Sequence, residues 1–216
     1  MDSSNELKTH NFRLVILLYT TVCFWGCSLS NANAQTGYLY SVCDSTIEKC
    51  GYADENGKII IPIGKYLTCY TDTIQTIGFV FSREERQIIA IDKSDKKLFT
   101  VLLFDNGPDY VEDGLFRIVD DSTGLIGFAD MNGKIIIPPH FFEVRPFSEG
   151  FAAFNEDGKF EELDEEHTII TGGKWGYIDK TGKEVFPAIF DKASSFEEGK
   201  AEVQIGEYVF YLFHEE

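Results

Sequence analysis

The chain has 216 residues, enough to bury a sizeable hydrophobic core within one compact unit. It contains 19 Phe, 10 Tyr and 19 Gly but only 2 Met, a composition that favours strands joined by tight turns. The formal net charge of −17 argues against binding to nucleic acid or to an anionic membrane surface, because both attract Lys and Arg.

The first segment, residues 1–34, has the features of a secretory signal peptide. Basic residues precede an apolar run over residues 14–25 that is too short to span a bilayer comfortably. The small residues Ala32 and Ala34 predict cleavage before Gln35, and therefore export to the periplasm or the extracellular space. Two alternatives stay open, namely a lipid-anchored form processed at Cys27 and an uncleaved anchor. The mature chain is expected to contain no transmembrane span.

Three cysteines follow the predicted cleavage site, and an odd number leaves one thiol free. Cys43 and Cys50 flank residues 44–49, which have the character of a hairpin connection, so we predict a Cys43–Cys50 disulfide. A bridge from Cys50 to Cys69 is the second choice. Residues 35–49 are then a capping strand that the bridge attaches to the first repeat. The cysteine spacings match no zinc site, and no metal or cofactor is predicted.

An internal repeat fills residues 50–216. Three segments, 51–58, 127–134 and 176–183, share the pattern Gly-aromatic-x-Asp-x-x-Gly-Lys, and a proline follows each of them at the same distance. A degenerate copy at residues 89–96 keeps the Asp and the final Lys but replaces both glycines. The units therefore begin near residues 51, 89, 127 and 176. A second motif, Phe-x-x-Gly, recurs later in the units that begin near residues 127 and 176.

The repeat predicts an all-β fold. An apolar strand leads to a tight turn, a β-branched return strand ends at the proline, and a third strand leads into the next unit. The aromatic residues at the shared repeat position are expected in the core: Tyr52, Phe128 and Tyr177. The turns are expected to depend on Asp54, Gly57, Asp130, Gly133, Asp179 and Gly182. About four such β-meander or hairpin units should stack in an elongated array, with helical turns only near residues 139–144 and 188–195.

These motifs resemble the WG repeat of exported bacterial proteins. The Trp-Gly pair itself occurs once, at Trp175-Gly176, but the wider signature is complete in two copies. The resemblance covers roughly residues 50–212 and implies a β-repeat array. It is specific for the repeat and implies no particular activity.

Two segments break the repeat and are the candidate contact regions for a partner. The first is an acidic turn over residues 105–113, with Asp105, Asp109, Tyr110 and Glu112. The second is an acidic insertion over residues 155–174, with Glu161, Glu162 and Asp164. We expect the insertion to be a solvated loop, and a calcium-type cluster of oxygen ligands is the alternative.

The sequence contains no serine-hydrolase elbow, no His-Glu-x-x-His motif and no phosphate-binding loop. We therefore predict a monomeric binding or scaffolding module, without catalytic activity, for a protein or glycan partner at the cell envelope. The alternative is an exported hydrolase that acts on glycans with two carboxylates brought together by the fold.

Overall fold

The computed structural model of the protein describes residues 37–44, 46, 49–162 and 168–214. In these ranges the chain forms strands, turns and bends without any helix, which confirms the all-β prediction. The same ranges accordingly hold no helix long and apolar enough to cross a membrane. The predicted signal peptide, residues 1–34, lies outside them and so does Cys27.

The strands follow the repeat along the chain. The first half of the fold contains β1 (Leu39–Asp44), β2 (Lys49–Ala53), β3 (Ile59–Cys69), β4 (Thr73–Ile74), β5 (Ile77–Ser82), β6 (Gln87–Asp92), β7 (Lys97–Val101), β8 (Leu103–Phe104), β9 (Gly107–Pro108) and β10 (Leu115–Val119). The second half contains β11 (Ile126–Asp130), β12 (Ile135–Phe141), β13 (Glu143–Val144), β14 (Phe151–Asn155), β15 (Lys159–Glu162), β16 (Thr168–Thr171), β17 (Trp175–Asp179), β18 (Glu184–Phe190), β19 (Lys192–Ala193), β20 (Lys200–Ile205) and β21 (Tyr208–Phe213).

All strand pairs are antiparallel, and one rule joins consecutive units. Each unit has a leading strand (β2, β6, β11 or β17), a return strand (β3, β7, β12 or β18) and a third strand (β5, β10, β14 or β20). The third strand pairs with the leading strand of the next unit, as in β5–β6, β10–β11 and β14–β17. Consecutive units therefore share a ladder of backbone hydrogen bonds as well as apolar contacts.

Ten strands form one sheet in the order β12-β11-β10-β7-β6-β5-β3-β2-β1-β4. A second sheet has the order β13-β14-β17-β18, a third has the order β19-β20-β21, and two hairpins, β8–β9 and β15–β16, stand apart. Residues 139–144, where a helical turn was conceivable, belong mainly to β12 and β13.

The aromatic residues at the shared repeat position lie in the core, as expected. Tyr52, Phe128 and Tyr177 are all fully buried. The two tyrosine hydroxyls donate 2.8 Å hydrogen bonds to the backbone carbonyls of Thr71 and Ser194, which lie at corresponding places after the two return strands. Burial of a tyrosine is tolerated here because its polar end has a partner.

The leading glycine of the repeat is required by the return strand that crosses over it. A Cβ added at Gly127 would lie 2.4 Å from the carbonyl oxygen of Ile137 and 2.5 Å from the nitrogen of Pro139. Gly51 and Gly176 meet the equivalent carbonyls at 2.4 and 2.7 Å. Opposite each of these glycines the register between the leading strand and the return strand is irregular. The return strand carries the repeat proline at that point.

The degenerate unit lacks this irregularity at the same place. Ile89 stands where the other units have glycine, and it pairs directly with Thr100, which stands where they have proline. Without the proline the return strand continues its regular register, and a side chain fits beneath it. In this unit the absence of the glycine and the absence of the proline are therefore structurally linked.

The disulfide joins Cys50 to Cys69, and Cys43 is free and exposed, so the predicted Cys43–Cys50 bridge is wrong. The predicted hairpin has the correct register, since Cys43 lies directly opposite Cys50 between β1 and β2. However, directly opposed residues hold their Cβ atoms about 4.5–5.5 Å apart, farther than the roughly 3.5–4.5 Å that suits a disulfide. Cys50 is instead bonded to Cys69 on β3, which pairs with the other edge of β2. The Cα–Cα distance of this disulfide is 6.0 Å.

Removal of this bridge should destabilise the fold measurably. A closed loop with a sequence separation of 19 residues restricts the unfolded chain, and the chain-entropy estimate for such a loop is about 3 kcal/mol. We expect urea unfolding to show that the double variant Cys50→Ser/Cys69→Ser has lost that amount of its free energy of unfolding. Cys43→Ser should lose almost none. Equal losses in the two variants would contradict the assigned pairing.

Candidate functional site

A surface groove of about 580 Å³ gathers residues from three repeat units and the insertion. Short strands supply much of its lining: Phe104 ends β8, Glu143 begins β13 and Lys192 begins β19. Trp175 at the start of β17 and Ile169 and Ile170 on β16 complete one side. Basic, acidic and aromatic side chains thus face one another in a space of the size that small ligands occupy.

Arg117 is the most deeply placed charge of the groove. Its Nε donates to Asp109 Oδ2 at 3.0 Å, its Nη2 donates to Asp109 Oδ1, and the backbone N–H of Arg117 donates to Oδ2 at 2.8 Å. Its Nη1 donates to the carbonyl of Val144 on β13 at 3.2 Å. Both side chains are almost fully buried, so this pair links β10 of the second unit to β13 of the third.

Two arginines of the groove lie over aromatic rings. The guanidinium of Arg145 is 5.4 Å from the ring centre of Trp175, and that of Arg117 is 5.4 Å from the ring centre of Phe104. Phe104 also meets Tyr110 edge-on, with ring centres 5.6 Å apart, and both rings are about half exposed. The Arg145 side chain is exposed, so its ring contact orients a charge that solvent or a ligand can reach.

The two carboxylates of the groove have opposite environments. Burial raises the pKa of Glu143, although the nearby charges of Arg117 and Arg145 act against the rise. The pKa of Asp191 is lowered, first by its hydrogen bond from the Lys174 ammonium and then by one from the backbone N–H of Gly206. Glu143 therefore favours its protonated form more than an ordinary glutamate does, and Asp191 favours its ionised form more than an ordinary aspartate does.

The acidic turn at residues 105–113 divides into exposed and buried members. Asp105, Tyr110 and Glu112 are exposed and reachable by a partner. Asp109 is only 3 % exposed and is occupied by Arg117, so its prediction as a contact residue is corrected to a structural role. The local sequence does not distinguish an aspartate that forms a turn from one that forms a buried ion pair. The partner of Asp109 is Arg117, which lies on the separate strand β10.

The insertion is a β-hairpin in its described part, not a loop. β15 and β16 pair from Lys159↔Thr171 to Glu162↔Thr168, and Phe160 packs against Phe142 with ring centres 4.7 Å apart. Glu161 and Glu162 are exposed on β15, whereas Asp164 lies outside the described residues. In residues 37–162 and 168–214, as far as described, no group of three or more His, Cys, Asp or Glu side chains is placed to hold a metal ion.

The repeat aspartates make one recurring turn. Oδ1 of Asp54, Asp130 and Asp179 accepts hydrogen bonds from the backbone N–H groups two and four residues later, at 2.8–3.1 Å. Gly57, Gly133 and Gly182 follow with φ between 79° and 83°. In the degenerate unit Asp92 makes the same bonds, and Asp95 replaces the glycine at φ 68°.

The turn aspartates should make stability depend on acidity. The pKa of Asp179 is lowered, chiefly by the hydrogen bond from the Thr181 hydroxyl. A lowered pKa means that the stabilisation is complete above the unfolded value of about 3.9 and is lost as pH falls through the folded value. We expect Asp179→Ala to cost about 1 kcal/mol at neutral pH, less in acid, and Glu184→Ala to cost almost nothing. A difference that grows on acidification would contradict this.

Sequence reasoning missed most of the groove. Arg117, Glu143, Arg145 and Lys192 belong to no motif in the sequence, and Trp175 stood out only as part of the Trp-Gly pair. The one available signal was that Arg117 is a charge within a strand of otherwise apolar residues, β10.

Comparison with known families agrees with the repeat found here. Residues 126–160 and 175–208 match the family model described as the WG containing repeat, which confirms the resemblance for the third and fourth units. A search of curated proteins found no match to the chain.

Proposed function

We propose that this chain, which carries WG containing repeats, is a non-catalytic module that binds a protein or glycan partner at the cell envelope. One observation carries the proposal: the insertion contributes residues to the groove, and so does Phe104, the residue directly before the 105–113 turn. Phe104 directly precedes the 105–113 turn and contacts Tyr110 within it, while Ile169 and Ile170 come from the insertion. Departures from a repeat tend to mark function, and here the insertion and the residue next to the 105–113 turn line one groove.

Export is part of the proposal and depends on the sequence of residues 1–34. A mature chain that begins at Gln35 would keep the whole repeat region, and lipid attachment at Cys27 would hold the same region at a membrane surface. N-terminal sequencing of the protein from its host distinguishes these forms. Recovery of intact residues 1–34 in a soluble fraction would reject export.

Binding can be tested with the full chain and variants of the groove rim. Phe104→Ala and Arg145→Ala remove exposed groove side chains, and Tyr208→Ala removes an exposed aromatic side chain on β21 as the matched control. We expect wild type and Tyr208→Ala to bind a component of the purified envelope equally, and the two groove variants to bind it more weakly. Equal binding by all four proteins would reject the groove as the contact site.

A hydrolase acting on glycans is the second candidate, and the carboxylates of the groove favour it. Glu143 has the raised pKa of a general acid and Asp191 the lowered pKa of a base or nucleophile, a division of roles known from glycosidases. The assay is the release of reducing ends from a panel of polysaccharides. Release that Glu143→Gln abolishes and Glu184→Gln leaves intact would replace binding by catalysis.

A further inference from the structure

We infer that the groove binds an acidic saccharide, whose carboxylates meet Arg145 and Lys192 and whose sugar ring packs against Phe104. The inference rests on the proposed binding function and specifies its ligand. It follows from the charges of the groove, the exposed aromatic surface beside them and the form of the strands that border it.

The charges of the groove favour an anionic ligand. Arg117, Arg145 and Lys192 line it together with Glu143 and Asp191, although the whole chain has a net charge of −17. Arg117 is neutralised by Asp109, and Asp191 is neutralised by Lys174. Among the described residues no carboxylate forms an ion pair with Arg145 or Lys192, so two cations remain opposite the single carboxyl of Glu143.

Glu143 is compatible with an anion at this place. Its pKa is raised by burial, so it carries less negative charge than an exposed glutamate does near its ordinary titration range. A protonated carboxyl also donates a hydrogen bond, which a sugar hydroxyl or carboxylate can accept. In its protonated form this carboxyl is a polar contact for the ligand, and in its ionised form it is a single negative charge opposite Arg145 and Lys192.

Arg145 and Phe104 supply the geometry for a ring that carries a carboxylate. The guanidinium of Arg145 is oriented by the Trp175 ring, and its planar array of donors matches a carboxylate in a two-bonded contact. Phe104 is 44 % exposed and continues into the exposed ring of Tyr110. An aromatic face beside a fixed cation can cover the apolar C–H face of a sugar while the cation holds its acid group.

The short length of the bordering strands argues against an acidic peptide as the ligand. A peptide bound by strand addition needs a free edge several residues long. β8, β13 and β19, which bring Phe104, Glu143 and Lys192 to the groove, are each two residues long. These three strands position side chains but offer almost no backbone ladder, and β16, which brings Ile169 and Ile170 to the groove, is only four residues long.

The test compares two saccharides of one skeleton with the full-length protein in calorimetric titration. The saccharide probes are tri-galacturonic acid and its carboxyl-reduced, neutral counterpart, and polyglutamate is the acidic peptide probe. We expect the acidic saccharide to bind at least about tenfold more tightly, since only its carboxylates can make charge-assisted contacts with Arg145 and Lys192. Arg145→Ala and Lys192→Ala should each weaken it about tenfold, added salt should weaken it, and the turn variant Lys134→Ala should bind like wild type.

Each other outcome overturns the inference in a recognisable way. Equal affinity for the neutral saccharide would remove the acidic specificity and leave the proposed binding function standing. Tighter binding of polyglutamate than of the acidic saccharide would make the ligand a peptide. If neither saccharide binds, the inference fails, and the envelope-binding comparison of Phe104→Ala with Tyr208→Ala then decides the proposed function separately.

Discussion

Replacing Asp109 with asparagine is expected to lower the free energy of unfolding by about 3–5 kcal/mol, because it leaves the Arg117 guanidinium buried without a counter-charge. In the native protein the Asp109 carboxylate accepts two bonds from the guanidinium and one from the backbone N–H of Arg117. An amide cannot accept all three, and one of its own N–H groups would face a donor. Urea unfolding monitored by tryptophan fluorescence measures the loss.

Two controls separate the ion pair from the turn that contains Asp109. Asp105→Asn changes an exposed carboxylate in the same segment and should leave stability unchanged. The double variant Asp109→Leu/Arg117→Met removes both charges and should recover part of the loss, since an apolar pair of similar volume commonly replaces a buried ion pair without penalty, whereas the backbone N–H of residue 117 still loses its acceptor. Full stability of Asp109→Asn would contradict the buried pairing.

The substitution Gly127→Ala is expected to cost about 3 kcal/mol or more, by forcing the return strand β12 away from β11. The new methyl group would meet backbone atoms at 2.4 and 2.5 Å, and backbone in a paired strand cannot move aside as a flexible side chain does. Thermal unfolding measures the cost, and the loss of the β11–β12 ladder should appear as faster amide exchange in both strands.

Gly107→Ala is the matched control for this prediction. The nearest atom within 4 Å of its added Cβ is the Phe104 carbonyl oxygen, at 3.9 Å, so the substitution should be nearly neutral. A second comparison uses the degenerate unit, where Ile89 already carries a side chain at the equivalent position, and Ile89→Ala should cost only the usual loss of buried methyl groups. A neutral Gly127→Ala would show that β12 is not held close to β11.

The repeat made most of the fold predictable from the sequence. In each unit, local residue types predict the turn, the return strand and the third strand. The same pattern recurs several times along the chain. The turn roles of Asp130 and Gly133 required no knowledge of distant residues, since the hydrogen bonds of Asp130 span four residues or fewer. The register of β1 against β2, with Cys43 opposite Cys50, followed from the hairpin in the same way.

The groove and the disulfide were decided only by tertiary structure. Cys50 lies in a strand with a cysteine on each neighbouring strand, and sequence spacing alone does not say which edge places a sulfur within bonding distance. Arg117 and Asp109 are eight residues apart, yet their pairing requires a third element, β13, to bury them. Local turn and strand preferences depend on nearby residues in the chain, so the sequence by itself determined the repeat unit. Pairing of charges and cysteines depends on which strands become neighbours in space, and only the assembled sheets establish that.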